Sequence, residues 1–184
     1  GITPQFVTVA DLNGDDSADI LTANEGTDDL SVLLGNGNGA FQTAQRVSAG
    51  GEPNAIGAGD LNGDGLIDVV SVSQLAAGAS VLLGNGDGTL LTQRFVAVGV
   101  GPKSVAVANF NGDTIPDLVT ANTSQHTASV LLGNGDGAFQ AQRVVTMGFS
   151  PQTVSVADLN GDTHSDLVTA NFNLNNVSVR LGNG

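Results

Sequence analysis

The chain has 184 residues, with 18 acidic side chains, five basic side chains, no cysteine and a formal net charge of −13. This charge makes nucleic acid a poor partner, and the lack of cysteine excludes disulfides, thiol catalysis and zinc–thiolate sites. No signal peptide and no apolar run long enough to cross a membrane is present, and the start at Gly1 suggests a processed or excerpted chain.

The chain repeats itself about every 50 residues, and we predict four short strands in each unit. A repeat of this length with four strands is typical of a propeller blade. The predicted units are about 1–50, 51–99, 100–148 and 149–184, the last incomplete, within a single repeat domain (1–184) or part of a larger propeller. The fold class predicted is therefore all-β: a β-propeller of four-stranded antiparallel blades, with three full blades and an incomplete fourth.

The first strand of each unit has period-two alternation with one face made of very small side chains. Such a strand suits the crowded inside of a propeller. The predicted first strands are Phe6 to Ala10, Ala55 to Gly59, Ser104 to Ala108 and Thr153 to Ala157.

An acidic loop follows each first strand, and its four copies begin 49 residues apart. They read DLNGDDSAD, DLNGDGLID, NFNGDTIPD and DLNGDTHSD, with oxygen-bearing side chains at positions one, three, five and nine. A turn that binds nothing would also use Asn, Asp and Gly. Turn chemistry alone, however, does not require three or four converging oxygens in every copy.

Calcium takes six to eight oxygen ligands from carboxylates, amides, backbone carbonyls and water, so each loop predicts a calcium site. Positions one, three, five and nine would bind through side chains and position seven through its backbone carbonyl. His164 is at a position seven, and we interpret its imidazole as a bystander because the other donors are hard oxygens. Oxygen donors alone would also admit magnesium or manganese. The predicted metal residues are Asp11, Asn13, Asp15, Ser17 and Asp19; Asp60, Asn62, Asp64, Leu66 and Asp68; Asn109, Asn111, Asp113, Ile115 and Asp117; and Asp158, Asn160, Asp162, His164 and Asp166.

The four sites are not equivalent in sequence. The third begins with Asn109 and has two carboxylates, whereas each of the others has three. Ligand charge raises calcium affinity, so we predict up to four ions with the third site weakest. Position six is glycine only in the second copy, which predicts strain or altered geometry at Asp16, Thr114 and Thr163.

Three further strands complete each of the first three predicted units, and the last unit has two of them. The second strands are Asp19 to Ala23, Asp68 to Ser71, Asp117 to Ala121 and Asp166 to Ala170. The third are Ser31 to Leu34, Ser80 to Leu83, Ser129 to Leu132 and Ser178 to Leu181, each ending in a GNG turn signal. The fourth are Phe41 to Val47, Leu90 to Val96 and Phe139 to Val145. Asp87 and Asp136 in the GNGDG segments are explained by the hairpin turn rather than by metal binding.

Segments such as SVAVANFNGDTIPDLVTAN (104–122) and SVLLGNGDGAF (129–139) resemble the FG-GAP or VCBS-type repeats of bacterial surface proteins. The same repeats build the calcium-bearing propeller of integrin α subunits. This resemblance covers nearly the whole chain and implies that the acidic loop joins the first two strands of a blade. It also implies that calcium is mainly structural and that partners bind the faces and loops. Propellers of this family commonly have about seven blades, whereas this chain has three complete units and a fourth that stops before its outer strand. Either residues are missing from this sequence, or another chain supplies the edge, or the repeats form an open or assembled array.

The function predicted is a non-enzymatic, extracellular or cell-surface scaffold, stabilised by calcium, for adhesion, protein interaction or self-assembly. Self-association would use the incomplete fourth blade, whose unpaired edge invites strand addition. The alternatives are a carbohydrate-binding propeller, with a glycan rather than a protein partner, and an accessory propeller of a larger secreted enzyme. A carboxylate pair could in principle hydrolyse a glycoside, but every clustered acid is better explained as a calcium ligand.

Two further features bear on the surface. Phe41 and Phe139 occupy repeat positions typical of packing, whereas Phe149 and Phe172 lie outside the pattern and are candidates for exposed contacts, although we favour a core role for both. The sequons at Asn122 and Asn176 fall between second and third strands, where exposure is expected.

Overall fold

A computed structural model describes residues 1–183 and contains fifteen strands and two short 3₁₀ turns. The innermost strands are β1 (Pro4–Ala10), β5 (Pro53–Gly59), β9 (Pro102–Ala108) and β13 (Pro151–Ala157). The second strands are β2 (Asp19–Asn24), β6 (Asp68–Ser73), β10 (Asp117–Asn122) and β14 (Asp166–Asn171). The third are β3 (Asp29–Leu33), β7 (Gly78–Leu82), β11 (Thr127–Leu131) and β15 (Asn176–Arg180), and the outer strands are β4 (Gln45–Ser48), β8 (Arg94–Ala97) and β12 (Arg143–Thr146). The 3₁₀ turns are Glu25–Thr27 and Phe172–Leu174.

The strands form four separate antiparallel sheets in which neighbours along the chain are neighbours in the sheet. Three sheets have four strands, and the described part of the last has three, β13, β14 and β15. The first strands of successive sheets pack side by side, β1 on β5, β5 on β9 and β9 on β13. The sheets are therefore propeller blades with the first strand innermost, as the resemblance implied, and the predicted fold class is confirmed.

Each blade packs face to face on the next, and the apolar side chains between blades form three cores. Blades one and two share a core that includes Leu21, Leu30 and Val69, all fully buried. The next two cores repeat this arrangement between blades two and three and between blades three and four. Alternation along the strands sends one set of side chains to the preceding blade and the other to the following blade.

The predicted outer strands were too long at their beginning. Phe41, Leu90 and Phe139 are not in strands; each makes a single bridge, to Gly35, Gly84 and Gly133 respectively, that closes the GNG turn. The outer strands begin about four residues later, because the tight turn has its own hydrogen bonds, such as Asn36 N–H to the carbonyl of Ala40. The prolines that punctuate the units are the first residues of the inner strands, where a missing N–H is tolerated.

Candidate metal centre

The first residue of each acidic loop organises the turn by accepting backbone hydrogen bonds. In the second copy Asp60 Oδ1 accepts from Gly63 N–H at 2.7 Å and from Asp64 N–H at 3.2 Å, while Oδ2 accepts from Gly65 N–H at 2.9 Å. Asp11 and Asp158 make the same three bonds in their own loops. The carboxylate thereby fixes the loop backbone and keeps at least one lone pair on Oδ2 for a further partner.

Positions three and five hold each other in place beside the first carboxylate. Asn62 Nδ2 donates to Asp64 Oδ2 at 2.8 Å, and Asp64 N–H donates to Asn62 Oδ1 at 3.0 Å. Asp64 Oδ1 also accepts from the N–H of Leu66, at position seven, at 2.8 Å. The same pattern recurs in all four copies, so the structure gathers the predicted ligands of positions one, three and five in one turn.

Position seven offers its backbone oxygen. In residues 1–183 no hydrogen bond reaches the carbonyl oxygens of this position. Like its counterparts in the other loops, His164 donates its backbone N–H to the position-five carboxylate, here Asp162. These carbonyls are therefore free to bind a further partner. The residues concerned are Ser17, Leu66, Ile115 and His164.

Position nine has a role that the sequence did not reveal. Asp68 is completely buried, and its two carboxylate oxygens accept from Leu61 N–H and Gly84 N–H, both at 2.8 Å. One bond closes the acidic loop, and the other ties the loop to the end of the third strand. The same pair of bonds occurs in every blade, at Asp19, Asp117 and Asp166. Each carboxylate oxygen can accept two bonds, so ligation of an ion through a second lone pair stays possible.

The glycine that donates this bond to the position-nine carboxylate is required because a side chain would not fit there. A Cβ atom on Gly84 would lie 2.3 Å from the carbonyl oxygen of Ile67, and the equivalent glycines of the other blades meet the same obstacle. The first glycine of each GNG segment is thus explained by close contact with the acidic loop. Turn geometry, which the sequence suggested, accounts for the glycine that follows two residues later with positive φ, such as Gly86 at 74°.

Position six adopts the left-handed conformation in every copy. Its φ is 63° at Asp16, 81° at Gly65, 75° at Thr114 and 71° at Thr163. A β-branched threonine is disfavoured there, so the predicted strain is present in the third and fourth loops.

The third loop has fewer internal bonds than the others. Asn109 Oδ1 accepts from Gly112 N–H at 2.8 Å and from Asn111 N–H at 3.2 Å. An amide nitrogen is not an acceptor, so Thr114 N–H has no counterpart of the bond that Gly65 N–H gives to Asp60. The loop therefore lacks both a charge and a backbone contact at its first position.

The acids of the second loop influence one another. Burial raises the pKa of Asp68, against the opposing hydrogen bonds from Gly84 and Leu61, and the negative charges of Asp64 and Asp60 raise it further. The hydrogen bond from Asn13 holds the pKa of Asp15 below its usual value, and the Thr163 N–H does the same for Asp158. In the second loop the charges of Asp60 and Asp64 thus disfavour the ionised form of Asp68, and a cation bound nearby would offset this effect.

Within residues 1–183 no group of three or more His, Asp or Glu side chains has the mutual placement of a ready-made metal site. The donor set of these loops is different, because it combines two or three carboxylates with an amide oxygen and a backbone carbonyl. Such mixed oxygen sets suit calcium. The residues fit the ion chemically, and calcium stays a prediction.

The acidic side chains in the turns between third and fourth strands accept hydrogen bonds from residues of the same turn. Asp87 Oδ1 accepts from the Thr89 N–H and hydroxyl, and these bonds hold the pKa of Asp87 below its usual value. Asp136 and Asn38 accept the equivalent N–H in their blades. This matches the turn interpretation of these residues.

Three expectations about the surface were wrong. Phe149 and Phe172, for which we favoured a core role, are 56% and 72% exposed, because they lie in loops between strands rather than on a blade face. Asn122 is fully buried as the last residue of β10, and its Nδ2 donates to Ser129 Oγ at 2.8 Å, so it has no room for a glycan. Phe41, expected to pack, is 41% exposed.

Sequence and structure comparisons agree with this architecture. The model for the FG-GAP-like repeat matches residues 11–71, 60–120 and 109–169, each match running from one acidic loop into the next unit. The chain is thus a repeat protein with propeller blades, and it belongs to the FG-GAP-like repeat family. No curated protein matches it.

Solved structures share the fold at low sequence identity. BBS1N, in a crystal structure with ARL6DN, has a TM-score of 0.66 and 15% identity, over 97% of this chain and 55% of that one. A lectin of Agrocybe aegerita that recognises non-reducing terminal N-acetylglucosamine has a TM-score of 0.63 and 22% identity, over 100% of this chain and 50% of that one. The Photorhabdus luminescens Tc holotoxin pore has a TM-score of 0.58 and 17% identity, over 95% of this chain and 9% of that one. The chain spans about half the length of the first two.

In the described part of the chain, no helix has the length and apolar character needed to cross a membrane.

Proposed function

We propose that this chain is a non-enzymatic, calcium-stabilised propeller scaffold that binds a protein or glycan partner outside cells. The observation that carries the proposal is the fourfold recurrence of one loop geometry. Side chains of positions one, three and five are joined to one hydrogen-bonded turn, and the position-seven carbonyl accepts no hydrogen bond within residues 1–183. Neutralisation of the repelling carboxylates would favour the ion-bound loop. An ion that binds the folded chain in preference to the unfolded chain stabilises the fold.

The electrostatics of the whole chain support a structural role for the ion. Eleven of the 18 acids are at the predicted ligand positions, so four bound calcium ions would change the formal charge from −13 to −5. Extracellular calcium is abundant enough to fill even weak sites, which supports an extracellular or cell-surface location. The loop acids also accept backbone hydrogen bonds, as Asp60 and Asp68 do. Because these carboxylates hold the fold together, a scaffold is favoured over a glycoside hydrolase.

The test is calorimetric titration of the metal-free chain with calcium, alongside magnesium, at constant ionic strength. We expect saturable calcium binding by up to four sites and weaker binding of magnesium. An Asp64→Ala variant should lose one site, whereas Asp87→Ala, which removes an acid from a turn outside the loops, should keep them all. Equal titration curves for the wild type and Asp64→Ala would show that the second loop does not bind the ion, and absence of calcium binding by all three proteins would contradict the proposal.

A glycan is the second candidate partner, and one feature of the fourth blade favours it. Phe172 is 72% exposed, and it borders a cavity of about 280 Å³ together with the amide side chains of Gln152 and Asn176. Asn171 also borders the cavity, but its amide is buried and bonded to Thr169 and Ser178. An exposed aromatic face beside amide groups offers stacking and hydrogen bonds to a neutral sugar. The similarity in fold to a lectin supports this candidate without assigning its sugar.

A glycan array tests this candidate with the wild-type chain and two variants. Phe172→Ala should abolish retention of any bound glycan. Phe95→Ala is the matched control, since Phe95 is 63% exposed on the outer strand β8, away from this cavity. Retention unaffected by Phe172→Ala would remove the site, and absence of all retention would favour a protein partner.

A further inference from the structure

A groove of about 540 Å³ lies on the rim between blades two and three. One wall is the outer strand β8, and the other is the segment 137–142 of blade three, which lies between the tight turn and the outer strand β12. Val96 and Phe139 line the groove and pack on the core between the two blades. Both walls belong to blades whose four strands the structure describes in full.

The blade-three wall is fixed by backbone hydrogen bonds. Gly137 N–H donates to the carbonyl of Leu61 in blade two at 3.2 Å, and Gln140 N–H donates to the carbonyl of Leu132 at 2.8 Å. Between these two bonds, Phe139 makes its bridge to the end of the third strand. The groove is therefore preorganised, which lowers the entropy that a binding partner would cost.

The groove runs along the free edge of β8. Val98 N–H donates to the carbonyl of Ala77 at 3.3 Å, and the register of β7 and β8 places these two residues opposite each other. Because bonded and non-bonded pairs alternate along an antiparallel ladder, Val96 also bonds to β7. The backbone N–H and C=O groups of Phe95 and Ala97 then point away from β7, and both residues line the groove. These four groups are available to an added strand.

The corresponding edges of the neighbouring blades are less open. In β12 the outward carbonyl of Thr146 accepts from Arg180 Nη2 at 2.9 Å. In β4, which borders a similar groove of about 450 Å³, Arg46 stands where β8 has Phe95, and its guanidinium lies 3.4 Å from the Asp29 carboxylate. Charged side chains protect edge strands from pairing. The edge of β8 instead carries an aromatic side chain that is 63% exposed.

Charge indicates the kind of strand that fits. The ten residues that line the groove include one charged side chain, Arg94, and no acid, in a chain with a net charge of −13. Within residues 1–183 the Arg94 guanidinium has no carboxylate partner and donates to the backbone carbonyl of Asp136 at 3.5 Å. The carboxylate of Asp136 itself accepts from Ala138 N–H. An acid on the incoming strand would give Arg94 a charge-assisted hydrogen bond.

We propose that this groove binds an extended, acidic peptide segment of a partner protein, which adds to blade two as a fifth strand. Its backbone pairs with Phe95 and Ala97, its carboxylate contacts Arg94, and its apolar side chains pack on Val96 and Phe139. β8 has four residues, a length of about 13 Å, so about four residues of the peptide are held. The inference rests on the proposed function and gives the protein partner of the scaffold a defined surface.

The experiment is selection of a random heptapeptide library on phage against the folded 184-residue chain in excess calcium, followed by fluorescence anisotropy with the enriched peptides. We expect peptides that combine an acid with apolar side chains at alternate positions. Ala97→Pro removes an outward N–H and leaves the bonds to β7 in place, whereas Arg94→Glu reverses the charge. Each should weaken binding by about tenfold. Thr146→Pro and Arg143→Glu are the matched controls at the equivalent positions of β12 and should bind like the wild type.

Backbone pairing is tested separately by N-methylation of alternate amides in the enriched peptide. Methylation of the set that faces β8 should abolish binding, and methylation of the other set should affect it far less. Binding that tolerates both sets would overturn strand addition.

Three other results would also overturn the proposal. They are failure to enrich any peptide, peptides that bind Ala97→Pro and Arg94→Glu as tightly as the wild type, and binding of an acidic glycan in place of peptides. Circular dichroism establishes that each variant is folded. Calcium titration of the same proteins keeps the two proposals apart, because calcium binding without peptide binding would remove the groove and leave the calcium-stabilised scaffold standing.

Discussion

Asp68 and Gly84 are joined by a hydrogen bond of 2.8 Å from the glycine N–H to the buried carboxylate, across 16 residues of chain. The bond links the acidic loop between the first two strands to the end of the third strand, and it recurs in all four blades. The acidic loop is therefore part of the blade's own hydrogen-bonding framework as well as a candidate calcium site. The two roles can be separated by mutation.

Asp68→Ala should destabilise the chain with or without calcium. It leaves the buried N–H groups of Leu61 and Gly84 without partners, at a cost of about 1–3 kcal/mol each. Urea unfolding in calcium and in chelator measures both effects. Asp64→Ala is the contrast, since Asp64 is exposed: it should lower the free energy of unfolding in calcium and change it little in chelator. If both variants behaved alike in chelator, the structural role of Asp68 would be wrong.

Thr163→Gly should stabilise the fourth loop. The left-handed conformation costs an L-residue about 1–2 kcal/mol, and glycine avoids this cost. Glycine also makes the unfolded chain more flexible, which destabilises the folded state by about 0.5–1 kcal/mol. The expected gain in the free energy of unfolding is thus roughly 0.5–1 kcal/mol, measured by urea unfolding in chelator. Gly65→Thr in the second loop is the reciprocal change and should lose a similar amount. A loss for Thr163→Gly would contradict the assignment of strain.

Asn109→Asp should raise the calcium affinity of the third loop. The new carboxylate adds a charge and an acceptor for Thr114 N–H, as Asp60 accepts from Gly65 N–H in the second loop. We expect the weakest of the calorimetric sites to tighten by about tenfold, because ligand charge tunes calcium affinity. Asp87→Asn, in a turn outside the loops, is the control for a general charge effect. An unchanged weakest site would show that the weakness has another cause.

Ser73→Asn should stabilise blade two. In blade three Asn122 accepts from Thr120 at 2.9 Å and donates to Ser129 at 2.8 Å, and blades one and four have the same network. Blade two has Ser73 at this position, and the buried Ser71 hydroxyl has no partner in the described residues. Restoring the amide should add about 1 kcal/mol to the free energy of unfolding.

The reciprocal variant, Asn122→Ser, should lower the free energy of unfolding by a similar amount or more. Chemical denaturation of both proteins checks the pair. The two variants should change the free energy of unfolding in opposite directions. If both variants were less stable than the wild type, blade two would be adapted to its smaller side chains.

The fold could be predicted from the sequence because its determinants are local and repeated. Period-two alternation, the GNG turns and the 49-residue interval predicted the strand order in every blade. The outer strands were predicted to begin too early because Phe41 and its counterparts are residue types typical of strands. In the structure each of them instead forms a single bridge, such as Phe41 to Gly35, that closes the turn. That bridge depends on the three-dimensional path of the turn and leaves little trace in composition.

The candidate site was predicted as a set of ligand types but not as a structure. Spacing alone indicated oxygen donors at positions one to nine. It could not show that Asp19 and its counterparts hold two blade segments together, since the partner glycine lies 16 residues away. The burial of Asn122 and the exposure of Phe149 were also missed, because both depend on how the loop between blades crosses the next blade.

Stabilisation of the fold by calcium is tested most directly by thermal unfolding of the 184-residue chain in millimolar calcium and again in excess chelator, monitored by circular dichroism. Each site that binds calcium only in the folded chain adds RT ln(1 + [Ca²⁺]/Kd) to the free energy of unfolding. This increase is about 2.7 kcal/mol per site when calcium is in hundredfold excess over Kd. We expect a Tm that is at least 10 °C higher in calcium than in chelator, and it should be restored when calcium is added back. An identical Tm in both conditions would contradict this expectation and leave the four acidic loops as turns closed by their own hydrogen bonds.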